Sequence, residues 1–358
     1  MKRLSIFIVG IMVAVVAMSR TFDMKQLGAD AKGIKSCTEL INRTIEKAAS
    51  EGGGTIYFPV GTYLTATIHM KSNITLYLES GAVLRFSDKF EDYLPFVTLR
   101  WEGTVMKSLS PLIYAHSADN VTISGRGTLD GNGLKWWLWE FDTRKVIKEN
   151  GGKLPTLDKL QQMWVDANKD LEISDYYKPS LERRMFRPPF IQFYECTNIL
   201  IENVKIINSP FWTINPAFCD NVTIHGVTIN NPSSNPKGPN TDGINPSSCR
   251  NVRISDCFIS VGDDCITIKS GRDADGRKYG KACENITITN CIMLSGHGGV
   301  VIGSEMSGGV KRVAISNCVF DGTNAGIRLK ASRGRGGVVE DIRVDNIVMK
   351  NIQGDAFI

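Results

Sequence analysis

The chain repeats itself, and no other feature limits its fold so tightly. Six segments align without gaps: Thr197–Val204, Asp220–Val227, Arg250–Cys257, Glu284–Cys291, Lys311–Cys318 and Glu340–Ile347, with a weaker copy from Asp119. Their starts are 23, 30, 34, 27 and 29 residues apart. Each copy alternates apolar and polar residues, which is the period of a strand, and Asn and Gly mark its corners. Self-similarity at this spacing signals a solenoid. A β-rich unit cannot bury its own apolar face, so neighbouring units stack and share one core. The expectation is one elongated all-β parallel β-helix over residues 20–358, although length alone would suggest two domains.

The second half of each unit carries the chemistry. Aligned on their apolar residues, Ile244, Ile266, Val300 and Ile327 form one column. Two positions earlier stand Asp242, Asp264, Gly298 and Ala325, and one further back Thr241, Asp263, His297 and Asn324. One position after the apolar column come Asn245, Thr267, Val301 and Arg328; three after it come Ser247, Lys269, Gly303 and Lys330. Stacked strands lie about 4.8 Å apart. Asp242, Asp263 and Asp264 should therefore be neighbours, with His297 one coil beyond Asp263. Taken singly, each Asp also suits a turn that satisfies local backbone. In register with His297, Arg328 and Lys330, the set points to catalysis. Like charges this close push at least one carboxyl pKa up, and Lys269, Arg328 and Lys330 offset part of the repulsion. A protonated acid beside ionised carboxylates is the equipment of a glycosidase.

Asn240-Thr241-Asp242, Gly262-Asp263-Asp264-Cys265, Gly296-His297-Gly298 and Arg328-Leu329-Lys330 resemble, in order and at compatible spacing, the four signature motifs of the polygalacturonase family of glycoside hydrolases, family 28, bacterial type. The resemblance extends to Asp130–Trp137 and Ser209–Trp212. It implies a single-stranded right-handed β-helix of the pectin-lyase-like kind. It also implies inverting hydrolysis of α-1,4-linked galacturonan, without cofactor or metal. By the same resemblance Asp263 is the general acid, and Asp242 and Asp264 position and deprotonate the water. His297 supports the acid, Arg328 and Lys330 bind a galacturonate carboxylate, and Asn240 shapes the site. Lys269 is placed with the substrate-binding residues. Inverting enzymes usually separate their carboxylates by about 6.5–9.5 Å and retaining ones by about 5–5.5 Å. The coil spacing suggests the shorter distance, whereas the resemblance implies inversion.

Two other functions share this fold. In a pectate-lyase-type eliminase the aspartates would hold Ca²⁺ while Arg or Lys abstracts a proton; Gly-His-Gly and Arg-Leu-Lys speak against it. A non-catalytic carbohydrate-binding solenoid would bind oligogalacturonides without turnover, and the intact acidic triad speaks against that. Net charge is +5, which suits an acidic polysaccharide partner. No helix-turn-helix pattern or basic aromatic platform suggests nucleic acid.

Residues 1–19 read as a signal peptide: Lys2-Arg3 precede an apolar run from Leu4 to Met18, with a small-residue cleavage site at Ala17-Met18-Ser19. The run is short for a membrane span. We expect a secreted or periplasmic monomer, with no membrane attachment after signal removal. Nine cysteines in an exported chain invite disulfides. However, Cys196, Cys219, Cys249 and Cys283 each precede a repeat start, and Cys257, Cys291 and Cys318 each fill its eighth position. Columns of this kind read as free thiols buried in ladders. The sequons at Asn73, Asn120, Asn221 and Asn285 read as strand propensity and not as glycan sites.

Ser36-Cys-Thr-Glu39 reads as a capping box that opens a short helix with a stripe of Leu40, Ile41, Ile45, Ala48 and Ala49. This helix is the expected N-terminal cap. Residues 134–185 interrupt the repeat as a helical or loop excursion, expected to wall one end of a groove, with Trp136 and Trp137 packed against the coil. At the other end the repeat stops at Ile358 without a cap or the family's substrate-site tyrosine, so the chain reads as lacking its C-terminal coils.

Overall fold

The computed structural model describes residues 20–171, 187–232 and 234–358. The proposed signal peptide, and residues 172–185 of the excursion, lie outside them. The described chain winds into a parallel β-helix, right-handed as parallel crossovers are. Every repeat start pairs with the next: Asp119 with Thr197, Thr197 with Asp220, Asp220 with Arg250, Arg250 with Glu284, Glu284 with Lys311, and Lys311 with Glu340. The apolar residues of these strands point inward, and Val222, Ile224, Val252, Ile254, Ile286 and Ile288 are all buried. Each such side chain contributes about 1.5–3 kcal/mol of burial, so the stack gains stability coil by coil.

The corners explain the asparagines. Asn120, Asn198, Asn221, Asn251 and Asn285 have φ of 57°, 54°, 56°, 57° and 57°. Asn tolerates this left-handed conformation because its short polar side chain bonds locally. The amides then bond from coil to coil: Asn221 Nδ2 donates to Asn198 Oδ1 at 2.6 Å, and Asn285 Nδ2 to Asn251 Oδ1 at 3.0 Å. Asn73, at φ 61°, belongs to the same set. Asn120, Asn221 and Asn285 thus lie in the repeat strands, as expected, but at a left-handed position that strand propensity does not explain.

The helix α1 (Thr38–Ser50) buries Ile41, Thr44, Ile45 and Ala48 and packs against strands of the first coils. It stands where a strand would precede Ile68–His69. Asn42 replaces that strand's backbone: its Nδ2 donates to Thr67 O at 2.9 Å, and its Oδ1 accepts from His69 N at 2.8 Å. An open sheet edge is thereby satisfied. The expected capping box does not form. Cys37, not Ser36, is the N-cap, and no side chain caps the helix. Ser36 Oγ instead lies 3.0 Å from Thr38 Oγ1.

All nine cysteines are free and buried, the seven of the ladder columns as expected and Cys37 and Cys265 besides. The excursion contains α2 (Leu134–Glu149) and α3 (Lys159–Ala167). Trp136 and Trp137 are buried: Trp136 stacks on Phe90, and Trp137 Nε1 donates to Ser209 O at 2.9 Å. They pack and do not line a sugar site. Among the described residues, no helix is long and apolar enough to cross a membrane.

Candidate active site

The site occupies the outward face of the third stack of strands. Parallel bridges put Ile244 beside Ile266, Ile266 beside Val300, and Val300 beside Ile327. They also pair Ser247 with Lys269, Thr267 with Val301, Val301 with Arg328, and Gly303 with Lys330. The register is the one read from the sequence, so Asp242, Asp263, Asp264, His297, Arg328 and Lys330 converge.

Asp263 Oδ1 lies 3.0 Å from His297 Nδ1 and accepts the Asp264 N–H at 2.9 Å. On its far side, His297 Nε2 lies 2.7 Å from Lys237 Nζ. An ammonium has only protons to offer, so the ring nitrogen facing it accepts, and the ring proton sits on Nδ1, aimed at Asp263. Asp264 is buried, and its Oδ2 accepts from Lys330 Nζ at 2.9 Å. Asp242 is buried and has weak support: Thr267 Oγ1 is 3.4 Å from its Oδ2. Asp242 Oδ1 and Asp264 Oδ1 are buried without a partner among the described residues, and such oxygens suit a water or a sugar hydroxyl. Oxygens of Asp263 and Asp264 and a nitrogen of His297 lie within 4.8 Å of one another. Lys330 already bonds one carboxylate and His297 the other, so the donor set is partly spent.

The electrostatics separate the acids. Burial, reinforced by Asp263 and Asp264, pushes the Asp242 carboxyl well above its ordinary range against the pull of Lys269 and Lys330. Burial also pushes Asp263 up, but the hydrogen bond from His297, with the charges of Lys330 and Lys269, outweighs it and holds Asp263 below its ordinary value. The expectation of one raised acid is met at Asp242. Asp263, the general acid implied by the resemblance, is the lowered one in the free protein.

One sequence expectation changes. Lys269 is 3% exposed and faces inward to a carboxylate that the columns did not include. Its Nζ lies 2.7 Å from Glu305 Oε2 and 3.9 Å from Asp242 Oδ2, over the Trp212 ring at 4.5 Å. It is a buried counter-ion and does not reach substrate, which corrects its placement among the binding residues. Asn240 lies at the rim with its Oδ1 accepting from Arg187 Nη2 at 2.8 Å and Arg144 Nη2 at 3.0 Å. Arg328 is half-buried and has no hydrogen bond or ion pair to another described residue, which leaves its guanidinium available to an anion.

A hairpin of Val97–Trp101 and Thr104–Ser108 lies over these coils, with Arg100 Nη1 donating to Ser247 Oγ at 3.3 Å and to Ser248 Oγ at 2.7 Å. The outward side chains Gln192, Asn215, Asn245 and Thr267 are 0% exposed beneath this cover. Gln192 accepts from Arg100 N and donates to Arg100 O, both at 2.9 Å. Trp101, Phe211 and Trp212 stack, and Trp164 of α3 joins their cluster. The face is closed on this side.

Residues 176–358 match the family described as glycosyl hydrolases family 28, and residues 21–99 match one described as rhamnogalacturonase A/epimerase, pectate lyase-like. A probable polygalacturonase of Vitis vinifera is 34% identical over 86% of this chain and 56% of its own length. An endo-polygalacturonase of Pectobacterium carotovorum is 29% identical over 93% of this chain and 75% of its own. Among solved structures, an exopolygalacturonase from Thermotoga maritima superposes with a TM-score of 0.76 at 37% identity, covering 91% of this chain and 76% of that one. The chain thus spans little more than half of the grapevine relative it matches.

Proposed function

The chain belongs to glycosyl hydrolase family 28, and from that premise we propose that it hydrolyses α-1,4-galacturonosidic bonds of pectin. One observation carries the reading: three carboxylates and His297 from successive coils meet beside the ammonium of Lys330, on the strand that also carries Arg328. A galacturonate carboxylate needs those cations, and glycosidic cleavage needs those acids.

In the proposed mechanism Asp263 protonates the leaving oxygen, because it is the carboxylate of the three with solvent access. Its low value in the free protein rises when substrate displaces water and brings its own carboxylate close. His297, with its proton on Nδ1 and Lys237 behind it, orients that acid. Water binds the unpartnered oxygens of Asp242 and Asp264 and, once Asp242 has ionised, gives its proton to one of these two carboxylates as it attacks the anomeric carbon. Inversion belongs to the proposal, and proton NMR of the first product tests it: a β-anomer supports inversion, an α-anomer retention.

We further propose exo action, because the hairpin and α3 close the groove beside Asp242. A fall in viscosity that outpaces new reducing ends would refute it. The substrate end, an exported location directed by residues 1–19 and a monomeric state complete the proposal.

The deciding experiment is a reducing-end assay on polygalacturonic acid with chelator present and ultraviolet absorbance followed in parallel. Reducing ends without absorbance support the hydrolase. Chelator-sensitive absorbance means an eliminase, and oligogalacturonide binding without either product means a non-catalytic solenoid.

A further inference from the structure

Glu305 stands outside every repeat column. Gly303, at φ 95°, turns the chain there; a Cβ at that position would lie 2.0 Å from Lys330 O. Glu305 then folds back into the protein and is 6% exposed. Its Oε2 takes Lys269 Nζ at 2.7 Å, and its Oε1 accepts from Ser304 Oγ at 3.1 Å, with Arg272 Nη2 at 3.8 Å. Arg272 in turn lies 3.2 Å from Glu102. A buried line of alternating charge thus runs from Asp242 through Lys269, Glu305 and Arg272 to the hairpin that closes the groove.

The groups that face Asp242 are Asp263, Asp264 and Lys269 from the next coil and Lys330 from the coil after His297. Lys269 is the nearest cation, yet it lies 3.9 Å from Asp242 and 2.7 Å from Glu305. The ammonium is shared unequally between two buried carboxylates. Burial pushes Glu305 up, but Lys269 and Arg272 outweigh it and hold it far below the usual carboxylate range. Glu305 is therefore a fixed negative charge that draws Lys269 away from the acid cluster.

We propose that Glu305 is a positioning residue for Asp242: by holding the Lys269 ammonium, it limits the positive charge that Asp242 feels and sets the pH at which that carboxyl ionises. Its relevance to turnover rests on the hydrolase reading above, but its effect on ionisation does not. Removing the Glu305 charge turns Lys269 toward Asp242, which then ionises more readily. Removing both partners leaves Asp242 without its nearest cation, so it ionises less readily. The two changes move one group in opposite directions, which a merely structural role for Glu305 does not do.

The test is an infrared titration of the full chain and of E305Q and K269M/E305Q, each with its D242N counterpart as the blank. The protonated-carboxyl stretch missing from the D242N counterpart reports Asp242 directly. Expected is a downward shift of its midpoint by about one pH unit in E305Q and an upward shift of similar size in the double variant. The acid limb of kcat/KM on polygalacturonate should follow each shift, while KM changes little. If E305Q does not fold, K269M/E305Q, which replaces the pair as a unit, still supports the proposal by an upward shift. Unmoved midpoints, or midpoints that move the same way in both variants, overturn it. A chain that titrates as expected but cleaves no pectic polymer sustains this inference and sinks the hydrolase reading.

Discussion

Asp263→Asn isolates the chemistry from the fold. The Asn carbonyl oxygen can still accept from His297 Nδ1 and from the Asp264 N–H, the two bonds now made at 3.0 and 2.9 Å. What disappears is the ability to give a proton. General acid catalysis contributes about 10²–10⁴-fold, or about 2.7–5.5 kcal/mol at 1.36 kcal/mol per decade. The variant should therefore lose about that factor in kcat on polygalacturonate, with its thermal midpoint within about 2 °C of the parent's. The assay pairs reducing-end release from the polymer with p-nitrophenyl α-galacturonide, whose leaving group departs with little protonation. On the aryl substrate the loss should fall to about tenfold or less. Retention of more than a tenth of the polymer rate, or equal losses on both substrates, would refute the assignment of Asp263 as the acid.

Asp242→Asn should raise the thermal midpoint near neutral pH. A carboxyl raised by burial holds its proton to a higher pH in the folded chain than in the unfolded one, so it costs stability as pH rises above its ordinary 3.8. The gain in the variant should vanish below that pH, and thermal scans between pH 3 and 7, to about one unit each way, check the sign. Asn42→Ala should cost about 1–3 kcal/mol, since it strands Thr67 O and His69 N at a sheet edge, as measured from the urea midpoint. A thiol reagent should find no rapidly reacting cysteine in the native protein and all nine after denaturation; fast native labelling would contradict the ladders.

Much of this architecture was legible because its unit is short and repeated. The starts at Thr197, Asp220, Arg250, Glu284, Lys311 and Glu340 pair as aligned, and that register alone brings Asp242, Asp263, Asp264, His297, Arg328 and Lys330 together. Departures from the unit were not legible. Glu305 follows a turn after Gly303 that no alignment of strands represents. Lys269 sits in an outward column, and Glu305 and Trp212, which no column represents, cover it. Lys237 reaches His297 from a loop preceding Asn240. At α1 the Ser-x-x-Glu pattern was present, but the chain enters the helix one residue later, at Cys37, and the box goes unused. The asparagines failed in a different way. Their positions were clear, but a strand-like pattern concealed that the second residue of each unit must take a positive φ.

The site also has a history within each molecule. Asn240, Asp263, His297 and Lys330 come from four successive coils, and each coil docks on the one before it. A growing or refolding solenoid can hold a packed core, a finished hairpin and a bonded Asn ladder while still lacking the cation that pairs with Asp264. Competence therefore arrives late, when the Thr323–Lys330 strand closes onto Ile292–Gly303. A chain wound without the Thr323–Lys330 strand would lack the Lys330 ammonium beside Asp264, and with it a complete site.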